Sequence, residues 1–330
     1  MTLRIGSLGA ARIAPMALVR PARQVDGVEF TAVAARDPAK ADAFARKHGI
    51  PHRYDSYDEL IENVDAVYNP LPNGLHGYWT QKALAAGKHV LCEKPFTANA
   101  HEARDIAAAH SGTGLVLMEA FHWRYHPLAE RIRGLARSEL GEIRRVETEF
   151  CVPLPLFNDI RYQLDLAGGA TMDTGCYAIH ILRQLGPSEP RVVSASAIEK
   201  TPGIDRAMTA DFEFETGATG RISCSLWSAK LLKASAKVFG TRGTLHVTNP
   251  VAPQFFNRVR LVRDGRTIFS EKVEGAATYT YQLRAFLDAV NGDENANLTP
   301  PSDSIITMGL IDDVYRAAGL EPRQPTPVVD

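Results

Sequence analysis

Glu93 and Lys94 place an acid and an amine directly after Val90-Leu91-Cys92, an apolar run of the sort that makes a buried parallel strand. Pro95 stops that strand from continuing. In open α/β sheets the ligand crevice lies outside the carboxyl ends of the strands, so both side chains are expected to face it. The competing reading is a solvated Glu-Lys surface pair. A second group follows at Gly168-Gly169-Ala170-Thr171-Met172-Asp173, a glycine-rich loop running into a helix. Asp173, Tyr177 and His180 are spaced i, i+4, i+7 and share one helical face. Met172, Ile179, Ile181 and Leu182 around them argue that the helix is substantially buried, which favours a site over a wet surface. Asp/Tyr/His is a poor ligand set beside a lysine, so no metal is assigned.

A nucleotide site is expected upstream. Leu3–Leu8 reads as a strand, and Gly9-Ala10-Ala11-Arg12-Ile13-Ala14 as its turn into a helix. Against the dinucleotide fingerprint Gly-x-Gly-x-x-Gly this is Gly9-x-Ala11-x-x-Ala14, with small residues that let backbone approach a pyrophosphate. A plain strand-to-helix turn has the same look. Pro15 suits the first turn of a helix starting near Arg12, and Pro21 kinks or ends it. The second strand, Val28–Ala35, ends in Arg36-Asp37-Pro38. An NAD enzyme usually places an acid at that strand tip for the ribose 2′-hydroxyl. Ala35 holds the tip here, followed by Arg36, whose guanidinium suits a 2′-phosphate, so NADP is favoured, with NAD possible. The other reading makes Asp37 the cap of the next helix and Arg36 a solvated residue.

The elements that must position these residues alternate regularly at first. Helices over 38–48, 56–62, 77–86 and 98–110 are interleaved with strands near 52–54, at 66–69, at the Val90 run and at 115–118. That is a doubly wound parallel sheet over residues 1–120. Pro70-Leu71-Pro72-Asn73-Gly74-Leu75-His76 sits at a further strand end. Phe121–Pro127, which contains Trp123 and Arg124, is a polar-aromatic segment that either lines a ligand or merely packs. Beyond it, eight strands between 143 and 273 joined largely by short turns indicate a largely antiparallel open sheet, so residues 121–330 form a C-terminal α+β domain. Helices over 281–290 and 302–318 follow, with a Pro-rich, loose tail expected from Glu321.

Bulk properties narrow the class. The chain has 330 residues, 23% charged, with a net charge of -1, which leaves no basic excess for nucleic acid. No apolar run suits a membrane span, and the first strand leaves no room for a signal peptide. The four cysteines lie far apart without metal-ligand spacing, as expected of buried thiols in a reducing cytoplasm.

Taken together, Gly9-Ala10-Ala11, Pro72-Asn73-x-x-His76, Glu93-Lys94-Pro95 and Asp173-x-Gly175-x-Tyr177 resemble the glucose–fructose oxidoreductase / inositol dehydrogenase / rhizopine-catabolism (Gfo/Idh/MocA) oxidoreductases over essentially the whole chain. Tyr177 stands where many members have His. With Met118-Glu119-Ala120-Phe121 and Arg124-Tyr125-His126-Pro127, that departure is similar to the branch of dimeric dihydrodiol dehydrogenases and NADP-dependent D-xylose dehydrogenases. The resemblance implies a Rossmann domain, an open sheet used for a homo-oligomer (dimer or tetramer), and hydride transfer at a carbinol or carbonyl carbon of a sugar, polyol or trans-dihydrodiol.

Carried onto this sequence, it assigns Gly9, Ala10, Ala11, Arg12, Ile13, Arg36, Leu71, Asn73, His76, Glu93, Lys94, Trp123 and Arg124 to the cofactor. Substrate falls to Lys94, Arg124, Arg161, Asp173, Tyr177 and His180. The catalytic set is Lys94, Tyr177 and Asp173. A phenol titrating near ~10 is a poor base at neutral pH, so Tyr177 needs the Lys94 ammonium beside it. Two rivals stay open: a non-catalytic nucleotide-binding sensor or transcriptional co-regulator, and an NADPH-dependent reductase of a non-sugar carbonyl. A sensor has no need of a proton-transfer pair.

Overall fold

The computed structural model describes residues 2–328 other than 157 and 231. It divides into two compact units: residues 1–125 with 277–305 and 325–330, and residues 126–276 with 306–324.

In the first unit, β1 (Leu3–Leu8) leads through a π turn (Pro15–Val19) into α1 (Arg20–Ala22). The helix therefore starts at Pro15, later than expected. The wide turn is marked by the Arg20 N–H donating to the Pro15 carbonyl. It precedes Pro21, whose ring would collide with the Ala17 carbonyl in a regular α-helix. β2 (Val28–Ala34), α2 (Pro38–His48), β3 (His52–Tyr54), α3 (Tyr57–Glu62), β4 (Ala66–Asn69), α4 (His76–Ala85), β5 (His89–Cys92), α5 (Ala100–His110) and β6 (Leu117–Glu119) follow. Asp37 caps α2: its carboxylate accepts from the N–H groups of Ala39 and Lys40 at 3.0 and 3.4 Å. All strand pairs are parallel, in the order β3-β2-β1-β4-β5-β6. The order reverses between β1 and β4, which makes their carboxyl ends the ligand position of a doubly wound sheet.

The second unit opens with α6 (Pro127–Glu139) and β7 (Ile143–Cys151). A further π turn (Thr171–Gly175) runs into α7 (Cys176–Leu185). Then come β8 (Pro190–Thr201), β9 (Ile204–Phe214), β10 (Thr219–Ser225), β11 (Lys233–Gly240), β12 (Gly243–Thr248), β13 (Arg258–Arg263) and β14 (Arg266–Glu271). They form one sheet, β14-β13-β12-β11-β7-β10-β9-β8, in which β7–β10 is the parallel pair among the described residues. Alternate residues such as Val146, Ile222, Ala236, Val238, Leu245 and Leu261 are buried, on the side where α6 and α7 pack. The opposite side is charged, with Arg221–Asp211 at 2.9 Å and Arg145–Glu147 at 2.7 Å. One buried and one wet face is what period-2 alternation in an antiparallel sheet dictates.

The chain then returns to the first unit with α8 (Thr278–Val290), whose Leu283, Phe286 and Leu287 join Leu18, Val19, Val25 and Phe30 in one apolar cluster. Full burial of such side chains is worth ~1.5–3 kcal/mol each. α9 (Pro301–Ala317) closes the regular structure. The tail from Glu321 is not the loose segment expected from its prolines. Arg323 is only 2% exposed and pairs with Asp205 at 2.8 Å in the second unit. The Thr326 N–H donates to the Gly74 carbonyl at 2.7 Å in the first. Prolines forbid a helix or ladder there, but they leave side chains and single N–H groups able to dock. Residues 329 and 330 of that tail lie outside the described residues.

Candidate functional site

Within the first unit, the expected cofactor residues gather at the carboxyl ends of β1, β2, β4 and β5. Gly9 follows β1 with φ +107°, a conformation that excludes other residue types without strain, and its N–H donates to the Ala34 carbonyl at 2.6 Å. A Cβ placed on Gly9 would meet only Leu71 Cδ2 at 3.5 Å and the Tyr57 hydroxyl at 4.0 Å. The open side of this turn is therefore bounded by Leu71 and Tyr57 and fits close approach of a dinucleotide backbone to residues 9–13. Arg36 is exposed at the end of β2, and the Tyr57 hydroxyl lies near its backbone. Burial pushes the Tyr57 phenol up, with the Arg36 charge opposing. Arg12 is exposed, while Ala10, Ala11, Ile13 and Asn73 are half-buried.

The turn that carries Lys94 is held by an amide, a buried imidazole and two carboxyl groups. Asn69, at the end of β4, donates to the His76 carbonyl at 3.0 Å and to Thr80 Oγ1 at 3.2 Å. The ring nitrogens of His76 lie 2.8 Å from the Pro95 carbonyl and 2.7 Å from the Leu71 carbonyl. One buried imidazole thus ties the loop after β4 to the turn after β5. Burial lowers the His76 pKa to about 4; the two carbonyls oppose this and the Lys94 charge adds to it. Burial, again with Lys94, takes His122 to about 3. Both imidazoles are therefore neutral near pH 7 and add no positive charge beside the ammonium. Glu93 accepts from the Tyr68 hydroxyl at 2.8 Å, and Glu119 accepts from the Phe96 N–H at 2.9 Å. Trp123 and Arg124 are buried in the short 3-10 turn after β6.

The second unit carries the other set. Gly169 (φ +130°) lies where any side chain would strike the Asp205 carboxylate. The turn it opens bonds i to i+5, with the Cys176 N–H donating to the Thr171 carbonyl. Such widened turns are frequent at functional sites. Asp173 projects from this turn, and Tyr177 and His180 from α7. Tyr177 is 4% exposed with its ring edge-on to Phe150, 5.4 Å between centroids, and His180 is fully buried. Arg161 bridges Asp173 (Nε to Oδ2, 3.0 Å) and Asp159 (3.1 Å), and the Asp173 charge is the main reason its own pKa is raised. Arg161 and Asp173 are thus brought together by pairing with each other.

Several residues that build these sets were not singled out in the sequence. Asn69 and Tyr68 end an otherwise apolar strand, which was a usable signal. His122 lies in the polar-aromatic segment already noted, whereas Tyr57, Asp205 and Arg323 carry no signal, because their partners are distant in sequence. Among the described residues no group of three or more His, Cys, Asp or Glu is arranged to hold a metal ion, and no helix is long and apolar enough to cross a membrane.

Comparison with known proteins identifies the family. Residues 3–121 match the model of an oxidoreductase family with an NAD-binding Rossmann fold, and residues 132–246 match the GFO/IDH/MocA C-terminal domain. The chain is 37% identical over 322 residues to an NADP(+) D-xylose 1-dehydrogenase of Haloferax volcanii, covering 96% of this chain and 97% of that one. It is 35% identical over 228 residues to the trans-1,2-dihydrobenzene-1,2-diol dehydrogenase of Sus scrofa, 67% of each chain. A 3-ketoreductase from Actinomadura kijaniata, crystallised with NADP and TDP-benzene, superposes with a TM-score of 0.87 at 28% identity, covering 96% of this chain and 98% of that one. The chain belongs to the Gfo/Idh/MocA oxidoreductase family.

Proposed function

We propose that this family member is an NADP-dependent dehydrogenase or reductase acting on a carbinol or carbonyl carbon of a sugar, polyol or trans-dihydrodiol. The observation that carries the reading is Lys94: a half-buried ammonium after β5, flanked by two imidazoles that stay neutral. NADP(H), when bound, supplies or accepts the hydride. Gly9 to Ile13 would line its pyrophosphate and Arg36 its 2′-phosphate, with Leu71, Asn73, His76, Glu93, Trp123 and Arg124 completing the cofactor side. As the substrate hydroxyl oxidises, Tyr177 takes its proton, and in reduction Tyr177 returns it. The Lys94 ammonium favours the phenolate and stabilises the substrate oxyanion. Asp173, braced by Arg161, orients substrate hydroxyls, and the buried His180 orients the Lys94–Tyr177 dyad.

The test is calorimetric binding of NADP(H) and NAD(H) to wild type and Arg36→Ala, with a screen of aldoses, polyols, dihydrodiols and ketosugars. Expected is tighter NADP(H) binding by wild type, lost about 10-fold or more in the variant with NAD(H) affinity little changed. Equal affinities would remove the role of Arg36, and binding of neither would defeat the dehydrogenase reading in favour of a non-enzymatic role. Four buried cysteines, none of them in a disulfide among the described residues, suit a reducing compartment, so the cytoplasm is the assigned location. The charged face of the eight-stranded sheet is the assigned surface for a dimer or tetramer, which a monomer mass by light scattering would exclude.

A further inference from the structure

Asp205 opens β9 and is fully buried. Its Oδ2 accepts from both the N–H and the hydroxyl of Thr171 at 2.7 Å. Its Oδ1 accepts from Arg323 at 2.8 Å and from the Tyr315 hydroxyl at 3.1 Å. Arg323 also donates through Nε to the Gly168 carbonyl at 2.6 Å, with its guanidinium 4.1 Å from the Tyr315 ring centroid. The carboxylate thus has four donors, and one cation reaches both it and the glycine pair. A wholly buried ion pair is weak evidence for stability, since apolar replacements of the same shape often fold as well or better. What this pair fixes is direction. It grips the turn at Gly168 and Thr171, immediately before Asp173, and Gly169 lacks a side chain where the carboxylate must come close.

We propose that Asp205 and Arg323 are positioning residues for the substrate side of the site, fixing through Thr171 and Gly168 the turn from which Asp173 and Tyr177 project. This rests on the reading that Asp173 and Tyr177 serve the substrate. Neither Asp205 nor Arg323 touches the reacting atoms; they act through the turn.

The experiment compares Arg323→Met, Arg323→Lys and Thr171→Val with wild type in the full chain. It measures amide hydrogen exchange, NADPH affinity, and kcat and KM for the substrate found by the screen. In Arg323→Met, exchange of residues 168–176 is expected to rise about tenfold while the strands of the second unit keep their protection. The same variant should lose about tenfold or more in kcat with NADPH affinity unchanged. Arg323→Lys restores part of both, and Thr171→Val, which spares the ion pair, gives a smaller loss in the same segment. Unchanged exchange in 168–176, or an equal rise throughout the second unit, overturns the proposal. If Arg323→Met does not fold, Thr171→Val decides, and wild-type exchange and kcat in it count against the proposal. A wild type without turnover would defeat the functional reading alone, because the exchange measurement still decides whether the strut holds the turn.

Discussion

The turns that carry Lys94 and Asp173 are both held in place, by different means. In the first unit the brace around Lys94 is made of a buried imidazole on two backbone carbonyls, an amide and a tyrosine-bound carboxylate. In the second the brace around Asp173 is made of ions: Arg161 with Asp159 and Asp173, and Arg323 with Asp205. A cation that must act electrostatically gains from neighbours that carry no charge of their own sign, and a neutral histidine gives geometry without competing. A turn that must keep one direction gains from paired charges, because breaking one pair leaves a buried ion unmatched, at ~3–5 kcal/mol. The first brace is therefore sensitive to protons, and the second to loss of a partner.

The largest effect is expected from removing the cation itself. Lys94→Met should lower kcat on the order of 10²–10⁴-fold while leaving NADPH affinity nearly unchanged, as steady-state kinetics and calorimetry would show. Retained turnover would take Lys94 out of the chemistry and leave its brace without a purpose. A smaller effect concerns acid. The folded pKa values of His76 and His122 lie below the ordinary histidine value, at about 4 and 3. The unfolded chain then binds more protons, so their contribution is complete above about 6.5 and is lost as pH falls, roughly 1–2 kcal/mol for each by pH 5. His126, at the start of α6 in the second unit, is lowered to about 4 in the same way, so the comparison is local: hydrogen exchange at falling pH should find residues 71–76 and 94–96 losing protection before residues 168–176, and the reverse order would break it. The smallest effect has the opposite slope. Glu102, beside Gly77, has its pKa raised to about 7 by burial. Its contribution is present below about 4.5 and is lost as pH rises through 7, so Glu102→Gln should gain about 1 kcal/mol in chemical denaturation at pH 8 and little at pH 5.

Much of this was legible in the chain. Strand and helix alternation over the first 120 residues is set by local periodicity, and so the parallel sheet and its strand-end residues could be read directly. The shared face of Asp173, Tyr177 and His180 was equally local, although the widened turn at 171–175 was not, since no residue type announces it. The braces were invisible because each joins residues far apart: His76 to Pro95, Tyr68 to Glu93, Asp205 to Arg323. Composition misled at the tail. Its prolines correctly exclude regular structure, but one arginine among them finds a buried carboxylate, and burial of a single side chain has no periodicity to detect. Nor does the amphipathic pattern of α8 say which core it joins; Leu283 and Phe286 settle that only by packing with residues near the start of the chain.

The pairing of Asp205 with Arg323 also has a consequence in time. Their sequence separation is 118 residues. On a ribosome adding about 5–20 residues per second, the Asp205 carboxylate waits on the order of ten seconds for its partner to be made. During that interval the glycine turn has its strand and its threonine but not its cation. The turn that carries Asp173 is accordingly fixed well after the six parallel strands of the first unit have been translated.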